Sequence, residues 1–430
     1  MNAARISLYN QFVPKYLGIH RFEADNRLVL LDHRTVVSRN LFCADDDNRA
    51  ITIWDGTYIY CQKSSNYRFQ RASYSMHKYR NLVKPMVAVA PDGHIIYLFG
   101  PFDANKSDAD IILSLFKDTN SVRSRFQQGD IFIVDRGFVS AIPVLESYGF
   151  VIKMPEFIER GQTSLSVEQA NRSRLVTKCR FVVEAVNGRF KQIYSYFNKV
   201  WQNTEIPHLM MDFTIAGAIL NLTKLPIESD SLDGERIADL MLLKINIPNK
   251  LNDLVEALNL NRKQIIFARM TAESVPDFPE LSLQELRTIA LGSYQIKQAR
   301  SYYAEHIRVD GMYELQVCIH AERLPLEKYD LLTGDNSLIR IRIQSRHSGR
   351  TKYLVYILID KNREALNAII GYCCQCENGL RTVDCCADVM TVLWYLGYGR
   401  HFISIPLPAS FLDDVTADVE SSDTSDGDEN

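Results

Sequence analysis

Apolar runs that break off at an aspartate constrain this chain more than any other feature. Residues 51–54 (ITIW) run into Asp55 and Gly56, and DIFIVD over 130–135 ends on Asp135, with Gly137 two residues further on. Short β-branched and aromatic runs bounded by Asp and Gly read as buried strands. LVKPMVAVA and HIIYLFG flank PDG at 91–93, the composition of a hairpin turn, so residues 50–100 read as a three-strand meander. SDADIILSLFKD then has helical spacing, VSAIPVLESYGF reads as a second helix ending at Gly149, and VIKMP as a further strand.

Antiparallel strands followed by alternating helix and strand predict an α/β fold, a ribonuclease-H-like mixed sheet with flanking helices, over residues 46–205. Residues 1–45 read as an N-terminal helical segment of one or two helices. A long helix is expected over 164–198, opened by Ser164 or Ser166 with Glu168 as a capping arrangement, and carrying Glu184. Residues 206–307 read as a helical connector of amphipathic helices broken at LPIESDSLDGE and ESVPDFPELS. Strands return in YELQVCIHA, SLIRIRIQSR and KYLVYILID, ahead of a cysteine cluster and a helix over 387–397. Residues 308–405 are therefore expected to form a small ββα module, with His320, Trp394 and the Leu/Tyr stripe of 393–398 in its core.

The net charge of −3 hides an asymmetry. The last eighteen residues hold eight of the 52 acids and no base, which leaves 49 bases against 44 acids over residues 1–412. That excess permits a polyanionic partner. The acidic, Ser-rich end over 406–430 is expected to be a disordered tail. With 46% hydrophobic and 10% aromatic residues the rest can fill real cores. The first twenty residues lack a secretory pattern and no apolar run reaches the ~18 residues of a membrane span, so a soluble intracellular protein with no membrane partner is expected.

Asp55 and Asp135 each follow an apolar strand at its carboxyl end, where α/β sheets place their sites. Glu184 stands between Val182, Val183, Ala185 and Val186 on the long helix. Three acids from three elements can converge at one end of a sheet and hold two divalent cations ~3.5–4 Å apart for phosphodiester chemistry. Oxygen donors suit Mg²⁺. Singly, each acid has an ordinary explanation: Asp before Gly is a common turn, and a helical Glu can be solvated.

The segments WDGTYIYCQKSSNYRFQRASYSMHKYRNLVKP, GPFDANKSDADI, VDRGF and ANRSRLVTKCRFVVEAVNGRFK resemble, in order, the blocks of the PIF/Harbinger-type DDE transposases, also called DDE superfamily endonucleases. The resemblance covers roughly residues 20–200, and the 48 residues between Asp135 and Glu184 fit it. It implies that Asp55, Asp135 and Glu184 are the catalytic acids, binding Mg²⁺ or Mn²⁺ for hydrolysis of DNA ends and transfer of the freed 3′-hydroxyl. It also marks Asp108 as a supporting acid, for which a helix N-cap role is an equal alternative. Bases interleave with aromatics around these acids, and Arg71, Lys78, Arg174, Lys178, Arg180 and Lys191 are the candidate contacts to the phosphates of double-stranded DNA, a solvated charged face being the alternative. A nuclear location follows from that reading. The short N-terminus leaves room for a separate DNA-binding partner protein, and an oligomer is compatible with the sequence.

Five of the nine cysteines fall in YCCQCENGLRTVDCCADVM, a spacing that suits a metal knuckle better than a disulfide framework. The stretch is similar to a SWIM-type zinc finger, C-x-C followed by C-x-H at a helix start. Cys374, Cys376 and Cys386 match, and Asp388 stands in place of the histidine. A Cys₃Asp site for Zn²⁺ is chemically admissible, since a carboxylate binds zinc at ~2.0–2.2 Å; Cys373, Cys385 and His401 are alternative donors, and a decayed finger is the rival reading. Two functions follow: a metal-dependent DNA endonuclease and strand transferase, or a catalytically inactive DNA- or chromatin-binding protein that retains the fold.

Overall fold

The computed structural model describes residues 2–17, 27–43, 46–117, 122–227, 233–262, 266–272, 275–306, 314–331, 334–345 and 350–402. The tail expected over 406–430 lies outside them. The chain divides into two compact units, Met1–Pro155 with Leu175–Glu235, and Glu156–Arg174 with Arg236–Asn430. The helices of 206–307, expected as a separate connector, are shared between these two units.

The first unit is built on a seven-stranded mixed sheet. Its strands are β1 (Ile51–Gly56), β2 (Ile59–Tyr60), β3 (Tyr74–Ser75), β4 (Arg80–Val89), β5 (Ile95–Asp103), β6 (Ile131–Ile133) and β7 (Val151–Lys153). β4 is the hub, antiparallel to β1, β2, β3 and β5. β6 runs parallel to β1, and β7 parallel to β6. Pro85 lies inside β4, where it has no N–H to give; the register with β5 shifts between Lys84 and Met86, a bulge that accommodates it. This mixed sheet with flanking helices is consistent with the expected ribonuclease-H-like arrangement. The meander has more pieces than the three strands expected: after β2 come a helix, Tyr67–Ser73, and a short hairpin of β3 and β4.

Alternation fixes the register of β1. Trp54, fully buried, stacks among Phe99, Phe116, Phe126 and Phe132 on one face, and its indole donates to Thr52 Oγ1 at 2.9 Å. Helices Asp108–Phe116 and Ile142–Ser147 contribute Ile111, Ile112 and Leu145 to the same cluster. Ile51, Ile53, Ile131 and Ile133 have the opposite parity and are also fully buried. A slip by one residue would exchange Trp54 and Asp55 between faces and forfeit roughly 1.5–3 kcal/mol for the ring alone. The aspartate is therefore held in place by its neighbour's packing.

The long helix runs Val167–Ile193, ending earlier than expected, and Ser166 caps it. Ser166 Oγ accepts from Gln169 N at 3.2 Å while its own N–H donates to Gln169 Oε1 at 3.0 Å, so the reciprocal partner is Gln169 rather than Glu168. Val182, Val183, Val186 and Phe190 are buried. Helix Leu209–Thr223 packs Gly217 against Leu98 of β5 and Phe190, and takes helix Asn2–Gln11 through an Arg5–Asp212 ion pair at 2.5 Å.

The second unit holds a five-stranded antiparallel sheet in the order β12-β11-β10-β9-β8, from β8 (Phe267–Met270), β9 (Glu314–Cys318), β10 (Asn336–Gln344), β11 (Lys352–Asp360) and β12 (Ile369–Cys374). The small ββα module is thus too small a description. Ile339, Ile341 and Ile343 pack with helices Leu283–Ala290, Tyr294–His306 and Ala387–Gly397 in one cluster. Leu338, Tyr356 and Leu358 face helix Lys250–Ala257 in another. Two apolar faces on the central strands explain why helices are needed on both sides, and why those preceding residue 308 belong to this unit. Trp394 is fully buried as expected, whereas His320 is exposed beside Glu322.

Candidate active site and candidate metal centre

The pairing of β1 with β6 matches Ile51 with Ile131, Thr52 with Phe132 and Ile53 with Ile133. Two residues past the last pair, on parallel strands and with the same parity, come Asp55 and Asp135. The sheet therefore brings the two aspartates abreast at one edge. The long helix closes over them: Asn187 Nδ2 donates to Asp55 Oδ2 at 3.2 Å. Arg180, Glu184, Asn187 and Lys191 recur at helical spacing along one side of it. Asn187 was missed as a site residue by sequence reasoning, although the spacing carried the signal. Its Oδ1 is buried without a hydrogen-bond partner.

Asp108 arrives from the helix on the other face of the sheet. Ser107 is the cap and Asp110 completes the capping box, so Asp108 is free of the N-cap role. Its carboxylate occupies space that two glycines leave open. A Cβ on Gly56 would lie 2.5 Å from Asp108 Oδ1, and one on Gly137 would lie 3.0 Å from Asp135 Oδ1 and 3.5 Å from Asp108 Oδ2. Neither glycine has a positive φ, so the DG and DRG glycines serve close approach as well as turning. The turn reading holds too: Asp135 Oδ1 accepts the Gly137 N–H at 2.7 Å and caps the turn Arg136–Ala141.

Crowding shows in the electrostatics. Burial, and then the Asp135 charge, push the Asp55 carboxyl up to about 7, with Asp108 and Glu184 adding to the rise and Arg180 opposing it. Burial also raises Asp135, partly offset by the Gly137 N–H. Burial, followed by the charges of Asp108, Asp55 and Asp135, pushes the neighbouring Tyr58 phenol up to about 12. Counter-charges pair with the acids: Lys84, itself buried, has Nζ 2.7 Å from Asp108 Oδ1, and Arg180 pairs with Glu184 at 2.5 Å. Burial lowers Lys191, which Asp55 raises and Lys78 lowers further.

Hard carboxylate oxygens of this density, with an unpartnered amide oxygen beside them, are donors that suit a divalent cation. They are not gathered tightly. Among the described residues, the group of three or more His, Cys, Asp or Glu side chains whose ligand atoms all lie within 4.8 Å of one another is a different one: Cys374, Cys376, Cys386 and Asp388.

Of the candidate phosphate contacts, Arg71 and Lys78 are exposed, and Arg180 and Lys191 border the acids. Arg174 and Lys178 are corrections. Arg174 is 5% exposed and its Nε donates to Asp384 Oδ2 at 2.5 Å, in a pocket that also holds Gln295 and Arg381; Lys178 is 6% exposed. Both side chains are buried, and the Arg174 charge is taken up by Asp384.

The cysteine site is assembled by β12 and the helix Ala387–Gly397. Alternation sends Cys374 to one face of β12 and Cys373 to the other, where it packs with Leu338 and Tyr356. The chain then doubles back: Cys374 N donates to Gly379 O and Gly379 N to Cys376 O, both at 3.0 Å. A Cβ on Gly379 would stand 2.1 Å from the Cys374 carbonyl oxygen, so this turn requires glycine. Cys376 N donates to Cys374 Sγ at 3.3 Å, and Val389 N to Cys386 Sγ at 3.4 Å, making Cys386 the helix N-cap. Asp388 Oδ2 is 3.4 Å from Cys374 Sγ. Against its burial, the Cys374 and Cys376 thiols and Arg381 hold Cys386 well below the ordinary thiol range. Burial, and then Cys386, push Asp388 up to about 6. Three thiols and a carboxylate at this spacing can coordinate a metal ion; Cys373, Cys385 and His401 are outside the group.

No curated protein and no solved structure matches the chain. A family model does, over a stretch that starts and ends later than the resemblance read from the sequence blocks. Residues 54–221, which carry Asp55, Asp108, Asp135, Glu184 and Asn187 together, match the model of the DDE superfamily endonuclease, and in this part the chain is similar to a domain of that family.

Proposed function

We propose that this protein is a nuclear, transposase-derived DNA endonuclease and strand transferase of the PIF/Harbinger type, with Asp55, Asp135 and Glu184 as its catalytic acids. The observation that carries the reading is the in-register pairing of β1 with β6, which sets Asp55 beside Asp135 under the helix of Glu184. Asp55, Asp135 and Glu184 would hold Mg²⁺ or Mn²⁺, with Asp108 in support. A divalent cation bound there supplies an activated water or hydroxyl and neutralises charge on the leaving oxygen. Arg180 and Lys191, both part-exposed, set positive charge beside the acids, so a phosphodiester would be drawn to them. In hydrolysis, water oxygen bonds to phosphorus while the bond to the 3′-oxygen breaks, and that oxygen leaves as a hydroxyl. In transfer, the oxygen of that 3′-hydroxyl bonds to the phosphorus of a second phosphodiester as the bond from that phosphorus to its own 3′-oxygen breaks; the attacking hydroxyl gives up its proton and the displaced 3′-oxygen leaves as a hydroxyl. The cysteine site would hold Zn²⁺ as a SWIM-like finger, with Asp388 in place of the usual histidine.

Mg²⁺-dependent nicking of supercoiled plasmid tests the reading. Wild type should nick with Mg²⁺ and not with EDTA, and Asp135→Asn should lose nicking while keeping its circular dichroism. Equal nicking by that variant sinks the assignment.

One observation favours a second reading, an inactive DNA- or chromatin-binding protein. Arg180 already pairs with Glu184 at 2.5 Å, and the three acids are not drawn to single-ion distance. Salt-dependent DNA binding by wild type, with no nicking in Mg²⁺ or Mn²⁺, decides for it.

A further inference from the structure

Between Gly56 and Asp92 the chain carries no acid, six Lys or Arg residues and five tyrosines. The first unit folds part of this stretch into a small platform. Asn66 caps helix Tyr67–Ser73, accepting from Phe69 N at 3.1 Å, and Asn81 Nδ2 ties the helix to β4 through Ser73 Oγ at 2.9 Å. β3 and β4 then make a hairpin, Ser75 opposite Arg80, whose loop is residues 76–79. Ser75 Oγ accepts from Lys78 N at 3.2 Å and fixes the loop.

What the platform shows to solvent is unusual. Tyr67 is 73% exposed, Met76 74% and Tyr79 76%. Tyr79 has φ +53°, the left-handed position where such loops favour glycine or asparagine. Among the described residues neither the Tyr67 nor the Tyr79 ring packs on another ring or a cation, while the two cations flanking Tyr79 lie over other rings. Lys78 Nζ sits 5.3 Å over the Tyr58 ring and Arg80 Cζ 5.4 Å over Tyr60. Tyr58 also takes Lys84 at 5.8 Å, and Lys84 reaches Asp108 at 2.7 Å. Lys78, next to Tyr79 in the loop, therefore stands one short chain of contacts from Asp108.

A continuous duplex offers such a surface only phosphates and groove edges, because its base faces are stacked on one another. A rigid exposed ring among cations gains most from a base whose face is free. We infer that residues 67–80 are a stacking platform for unpaired DNA bases, so that the preferred substrate has unpaired nucleotides next to the phosphodiester at the acid cluster. This rests on the DNA-endonuclease reading and specifies its substrate.

Fluorescence anisotropy on the full chain in EDTA tests it with three probes: a blunt duplex, the same duplex with a central unpaired bubble, and the single strand. Wild type should bind the bubble and the single strand more tightly than the duplex. Tyr79→Gly, which suits the positive φ and removes only the ring, should weaken those two by about tenfold and leave the duplex unchanged, and Tyr79→Phe should keep wild-type affinity. Equal affinity for bubble and duplex, or a Tyr79→Gly effect that is absent or the same on all three probes, overturns the platform and leaves the DNA reading standing. Binding to none of the probes removes both.

Discussion

Asn187 and Asp55 lie 132 positions apart in the chain and meet at 3.2 Å, the amide donating to the carboxylate. That bond joins the long helix to the strand edge where the acids collect. Asn187→Asp would replace the donor with a further negative charge in a site already crowded by Asp135, Asp108 and Glu184. In EDTA it should lower the unfolding free energy by about 1 kcal/mol, and excess Mg²⁺ should recover more of that loss than it adds to wild type. Urea unfolding with and without Mg²⁺ measures both. Unchanged stability in EDTA would count against the crowding.

Asp55 makes a pH-dependent prediction for the metal-free protein. Its carboxyl is raised from 3.8 to about 7, so between those values the folded protein keeps a proton the unfolded chain has released. Stability is then lost as pH rises through this window and stays lost above it. Asn cannot ionise. In EDTA, the stability of Asp55→Asn relative to wild type should increase by on the order of 2 kcal/mol between pH 5 and pH 8. A pH-independent difference would contradict this.

Buried and exposed bases should separate in two assays. Arg174→Ala removes one partner of a fully buried Asp384 while Arg381 remains on it; a loss of about 2–3 kcal/mol in stability is expected, with an unchanged salt dependence of DNA binding. Lys78→Ala, at an exposed position, should leave stability within ~0.5 kcal/mol and reduce the slope of log affinity against log salt by about one.

Metal analysis of the full chain should find one tightly held ion in the cysteine site of the second unit. Cys374→Ser and Gly379→Ala should each lose it, the second because a Cβ there meets the Cys374 backbone at 2.1 Å. Asp388→His should retain it, with a nitrogen donor replacing oxygen. Full metal content in Gly379→Ala would refute the knuckle.

Much of the acid site was legible because strands have a period of two and end where their apolar run ends. ITIWD and DIFIVD each hand over to an aspartate at a carboxyl end, and parallel pairing needs only the right register to align them. The place of Asp108 was not legible. It depends on space left by Gly56 and Gly137, glycines of two other elements, whose local sequence reads simply as turns. Arg174 and Lys178 were misread for a related reason. On a helix of 27 residues their charges look like a solvated face, but both side chains are buried, and Arg174 meets Asp384, 210 positions away. The five-stranded sheet was underestimated because FARM of β8 is too short to stand out from its helical surroundings.

The packing that fixes the register of β1 also equips the molecule for spectroscopy. The chain has three tryptophans, and each sits in a different setting: Trp54 sealed next to Asp55, Trp201 donating from its indole to the Tyr196 carbonyl, and Trp394 in the core of the second unit. Replacing two at a time by phenylalanine leaves one fluorophore per protein. Emission from Trp54 then follows events at the acid cluster, and Trp394 follows the unfolding of the other unit, so the stabilities of the two units can be read separately from one intact chain.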